Sequence, residues 1–185
     1  MEGLPDSDVP RDALSPTMRR ALLLAEESLA WPAPVEPLTR TSASLQAWGE
    51  STLTPWIEEK TARASAAREE LNKAAAESMR ERIMAGAVLG VVYEDVARVL
   101  VALPVPQELE NEPEIKATYR EVMISNAQPF LGNARSAYKA CAGNAKQVPE
   151  LRYWGRYCAH RRETLPGELI QSAPQGTTIV TVEPE

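Results

Sequence analysis

The sequence holds one Phe, one His and two Cys in 185 residues. Two Cys and one His cannot assemble a zinc site without distant carboxylates, so neither a metal nor a cofactor is expected. Cys158 and His160 are two residues apart, about 200° around a helix, which excludes a nucleophile–base pair between them. Glu94 with Asp95, and Glu108 with Glu110 and Glu112, lack the spacing of a calcium loop and read as solvated faces. No enzyme is expected. Long apolar runs are missing as well. The longest uncharged helical stretch, 83–93, is far short of the roughly 20 residues a bilayer needs, so no transmembrane segment is expected. The opening Met1-Glu-Gly-Leu-Pro-Asp-Ser-Asp lacks the basic and apolar regions of a signal peptide, which favours a cytoplasmic chain or a mature or truncated form. Positive charge is in deficit: 20 Lys and Arg against 26 Asp and Glu give a net charge of −6, which argues against a nucleic-acid partner.

What is present is alanine, glutamate, leucine and arginine. Hydrophobic residues make up 44%, enough for a core. Alanine supplies much of that share, so the core should be thin and helix-made. Prolines stand at 5, 10, 16, 32, 34, 37 and 55, and then none until 104. A proline-free stretch of that length permits long helices, and the longest are expected between Trp56 and Leu103. Ser15-Pro16 reads as a cap opening a helix to about Ala30, and Thr54-Pro55 as a second cap. Trp31-Pro-Ala-Pro-Val-Glu-Pro37 is expected to be extended, with a short helix over 44–50. Gly86, Leu89, Tyr93, Val96, Leu100 and Leu103 form one helical stripe. Ile115, Tyr119, Val122, Asn126, Phe130, Ala134, Ala137 and Cys141 form another; Pro129 falls inside it, so a kink near Asn126 or a break into two helices is expected. Pro149 opens a last helix, expected to close at Pro166-Gly167, and 177–182 is a short β-like run. The expected fold is all-α, built of antiparallel helical hairpins with an extended Pro-rich N-terminal arm and an irregular C-terminal tail. Its divisions are the arm at 1–40 with one short helix, a helical domain at 41–165 and the tail at 166–185.

The stretch 85–168 resembles the last helical module of tetratricopeptide-type proteins from proteobacteria. The residues carrying the resemblance are Leu89-Gly90-Val-Val-Tyr93-Glu94, Leu103-Pro-Val-Pro106, Tyr119, Pro129-Phe130, Ala134, Ala137-Tyr138, Cys141, Trp154 and Cys158. The resemblance implies stacked hairpins that present a helical face to a peptide or another helix. It also implies cysteines in these places. Folding the last two helices back across 144–149 would bring Cys141 and Cys158 to one side, within disulfide reach. Two free buried cysteines are the alternative. A disulfide would indicate a periplasmic or extracellular location at the cell envelope; without it the chain is expected in the cytoplasm.

The expected function is therefore a non-catalytic scaffold or protein–protein interaction module, a subunit of a larger assembly. Its partner is another protein chain or a second copy. Arg152 and Arg156 recur beside Tyr153 and Trp154 on the last helix, a combination favoured at interfaces. Trp31 and Trp48, set in or near the Pro-rich arm, are the other candidate contacts. The alternative is a small helical ligand-binding bundle or enzyme with a pocket near Tyr93, Tyr119, Asn126 and Phe130.

Overall fold

A computed structural model describes residues 11–172, with side chains over 12–165. Every regular element among them is helical: α1 (Pro16–Ala30), α2 (Ser42–Trp48), α3 (Thr54–Glu77), α4 (Met79–Val101), α5 (Pro113–Ala145) and α6 (Arg152–Ser172). Short 3₁₀ turns at Gln107–Leu109 and Pro149–Leu151 lead into α5 and α6. No described helix is long and apolar enough to cross a membrane.

α4 is the centre. Ile83, Met84, Val88, Val92, Val96 and Leu100 are all buried, and α3 and α5 flank the helix. α1 and α6 also contact it. The side-chain pairings give the directions. Arg20 faces Glu70, and Ser28 faces Lys60, so α1 runs antiparallel to α3. Lys60 meets Asp95, so α3 and α4 form an antiparallel hairpin. α5 returns along α4, and α6 returns along α5.

The hairpin of α3 and α4 turns at one residue. Ser78 is extended, with φ −152° and ψ 159°, and its Oγ accepts from Glu81 N at 3.1 Å. The Glu81 carboxylate reaches away from its own cap and accepts from Ser15 N at 2.7 Å. Glu81 is thus capped by Ser78 through its backbone N–H and fastens the start of α1 through its carboxylate. The far end of α1 is held by Lys60, 1% exposed, which donates to Ser28 O at 2.5 Å and pairs with Asp95 at 2.6 Å. A buried ammonium survives only with such partners.

Several expectations change here. The helix expected within the arm, α1, packs into the core, with Met18, Ala21 and Ala25 fully buried. Thr54 is no cap: a π-helical turn, Gly49–Leu53, joins α2 to α3, and Thr54 Oγ1 donates back to Gly49 O at 2.9 Å. The longest helix is α5, with 33 residues, because hydrogen bonding continues past Pro129 without a break. α6 likewise continues through Pro166-Gly167 to Ser172, anchored where Leu165 is buried. The β-like run at 177–182 and the first ten residues lie outside the described part.

Candidate functional site

The tryptophans in and near the arm make contacts within the molecule. Trp48 is buried and its Nε1 donates to Val35 O at 2.7 Å. Trp56 donates to Pro32 O at the same distance. Trp31 lies under Arg63, whose guanidinium carbon is 4.0 Å from the ring centroid. These indoles fasten the extended segment 31–38 to α2 and α3; Trp48 is buried, contrary to the expectation that it contacts a partner, while Trp31 is half-buried. The outer side of the segment leaves Val35 and Leu38 exposed.

The hairpin of α5 and α6 is where the candidate residues gather. Gly155 faces Ala145: a Cβ at 155 would fall 2.7 Å from that methyl, so glycine sets the approach of the two helices. One turn further, Cys141 and Cys158 pair at disulfide distance, Cα to Cα 6.1 Å, with both side chains fully buried. Trp154 points into the same seam and is 5% exposed. It is a core residue, and a partner cannot reach it; the expected contact at Trp154 is corrected on that ground. Arg152, Tyr153 and Arg156 are exposed, and the Arg156 guanidinium lies 5.6 Å from the Tyr153 ring.

Beneath this surface is a buried ionic centre that sequence reasoning treated as solvated. Glu94 is 4% exposed. It accepts from Tyr138 Oη at 2.7 Å and from Arg98 at 2.5 Å, and it is held by Arg161 through Nε and Nη2. Tyr138 is fully buried, with Tyr157 edge-on at 6.1 Å. Burial pushes the Tyr138 hydroxyl well above the ordinary tyrosine value, and the neighbouring Glu94 charge adds to it. Burial also raises Tyr157. The ring of Tyr138 rests against Gly90, where a Cβ would lie 2.3 Å from it, and Cys141 rests against Gly86. Gly86-x-x-x-Gly90 is thus the seat for α5. The signal that could have marked the centre was the Leu-Gly-x-x-Tyr-Glu pattern, in which glycine and an acid stand one turn apart.

Between α1 and α6, above α4, runs a groove of about 780 Å³. It is lined by Leu29, Val91 and Tyr157 on its apolar parts and by Glu94, Asp95 and Arg98 on its floor. None of Tyr93, Tyr119, Asn126 and Phe130 lines it. Asn126 is exposed, as are Ile115 and Val122 of the same stripe, because the front half of α5 extends past the end of α4. Tyr119 is tied instead to Pro104 O at 3.0 Å. Among the described residues no group of three His, Cys, Asp or Glu is placed to hold a metal ion.

No family model, curated protein or solved structure matches this chain.

Proposed function

We propose that the chain is a non-catalytic helical interaction module, a subunit of a larger assembly that docks through the outer face of the α5–α6 hairpin. One observation carries this reading. Residues 131–165 hold seven Lys and Arg against two Glu, a net +5 within a chain of −6. On that hairpin Arg152, Tyr153 and Arg156 stand exposed on a helix that cannot shift, being held by Cys158 and Arg161. A rigid surface of Arg and Tyr loses little entropy on binding. The tetratricopeptide-type reading is supported by the antiparallel hairpins α3–α4 and α5–α6 side by side on α4. Their lengths exceed a two-helix unit of about 34 residues, so the proposal extends to hairpin stacking and not to the repeat itself. The cysteine pair favours a periplasmic or extracellular site of action.

The test is capture of partners from native extract by three forms of the chain. A protein held in stoichiometric amount by wild type, lost with Arg152→Glu/Arg156→Glu and kept with the surface control Arg68→Glu, is the expected result. Equal capture by all three sinks the reading. The groove above α4 favours a second reading, a ligand-binding bundle. A dipeptide panel that raises the melting temperature of wild type and not of Arg98→Ala would support it, and no shift with any member would end it.

A further inference from the structure

The charge of the molecule is divided along α5. The loop and first residues that lead into it, 107–114, carry Glu108, Glu110, Glu112 and Glu114, all exposed, and no cation before Lys116. Glu108 accepts from Ser42 N at 2.8 Å, which holds its carboxyl below the usual range and ties this loop to α2. From 135 to 156 the opposite end carries Arg135, Lys139, Lys146, Arg152 and Arg156 against Glu150 alone, again all exposed. At about 1.5 Å per residue, α5 separates Glu114 from the cations at the opposite end by roughly 30–50 Å. Apolar side chains accompany both charges. Ile115 and Val122 are 53% and 49% exposed near the acidic end, and Tyr153 is 58% exposed at the basic one.

Two complementary ends that far apart on one rigid helix cannot meet within a molecule. They can meet between molecules. We propose that this chain associates with itself head to tail, the acidic end of one copy docking on the basic α5–α6 turn of the next. The inference rests on the interaction-module reading and names its occupant as a second copy. Charge steers the approach and sets the orientation, while Ile115, Val122 and Tyr153 supply the desolvated contact. An antiparallel pair of copies satisfies both contacts at once and closes as a dimer, whereas a staggered contact leaves both kinds of end open and grows into a ring or a filament.

Light scattering on the purified full chain tests this across ionic strength. At about 0.01 M salt, where screening extends roughly 30 Å, the mass should exceed one chain; near 1 M it should fall to one chain. Arg152→Glu/Arg156→Glu and Glu110→Lys/Glu112→Lys should each weaken association by roughly tenfold or more. Mixing the two variants should restore it, because each then offers the end that the other lacks. That rescue excludes simple misfolding of either variant. A wild-type chain that stays at single-chain mass in low salt overturns the proposal, and so does a mixture that does not reassemble. If either happens while Arg152→Glu/Arg156→Glu still loses a captured foreign protein, the module reading survives and only the second copy is wrong.

Discussion

Gly90→Ala tests the packing at the centre of the molecule against simple helix propensity. Alanine in a helix interior is favoured over glycine by about 1 kcal/mol, so propensity alone predicts stabilisation. At position 90 the added methyl would lie 2.3 to 2.6 Å from three atoms of the Tyr138 ring. That ring is fully buried and its hydroxyl is bonded to Glu94, so it cannot swing outward cheaply. Forcing extra volume into a packed core costs about 1–3 kcal/mol. Moving the ring instead would break a bond to a charged acceptor, which is worth about 1.5–3 kcal/mol. Set against the propensity gain of about 1 kcal/mol, the packing cost leaves a net loss of up to about 2 kcal/mol, and a deficit of about 1–3 kcal/mol relative to a glycine-to-alanine change that meets no neighbour. For a chain of this size the melting temperature should fall by up to roughly 8 °C. Gly132→Ala is the control, an exposed position on α5 with no atom within 4 Å of the new methyl. It should gain up to about 1 kcal/mol. Thermal and urea denaturation followed by far-UV circular dichroism measure both. A Gly90→Ala chain as stable as Gly132→Ala would refute the seating of α5 on α4.

Three further outcomes are expected. Closing the loop between Cys141 and Cys158, 17 residues apart, should stabilise by about 3 kcal/mol, so Cys141→Ser/Cys158→Ser should unfold at correspondingly lower urea; intact mass under non-reducing conditions shows whether the pair has lost its two hydrogens. Arg161→Met should cost about 3–5 kcal/mol by leaving Glu94 buried without its main cation, while Arg98→Met, whose side chain is 57% exposed, should cost under about 1 kcal/mol; equal effects in urea melts would contradict the burial argument. Tyr138 ionises in the unfolded chain near pH 10 and later in the folded one, so the fold binds the extra proton and stability is present below about pH 10 and lost above it. Tyr138 contributes about 1.4 kcal/mol per pH unit to that loss and the raised Tyr157 adds its own, so Tyr138→Phe should lower the slope without abolishing it; an unchanged alkaline limb would refute the assignment.

The helical class was legible from composition and proline spacing, because those act through the backbone alone. Ser15-Pro16 opens α1, and Pro113 opens α5, as the local chemistry requires. Interior prolines did not end the helices: α5 is not broken at Pro129, and α6 does not close at Pro166. Pro129 removes one hydrogen bond, yet Leu131, Ala134 and Tyr138 are packed on α4 just beyond it, and tertiary burial carries the helix through. The break at Ser78 was illegible for the opposite reason: no proline or glycine marks it, and only a Ser-x-x-Glu spacing does. The indole positions followed the same logic. A tryptophan in a proline-rich stretch looks exposed until the helix that it will cover is known.

The buried charges were the least legible feature, and the thin core explains why they are there. Ala64, Ala67, Ala74, Ala85, Ala87, Ala97, Ala127 and Ala134 line the helix seams. Methyl groups at every turn present a nearly uniform surface, and one helix can slide past another by a turn with little change in area buried. Directional links remove that freedom. Glu81 to Ser15 and Lys60 to Ser28 fix α1, Lys60 to Asp95 fixes α3 on α4, and Tyr138 to Glu94 fixes α5. Arg161 to Glu94, with the cysteine pair one turn away, fixes α6. A slip of one turn would leave Lys60 and Glu94 buried without partners, at several kcal/mol each. In this molecule the polar residues choose the register that the alanines leave open, and the position of Arg152, Tyr153 and Arg156 on the surface follows from that choice.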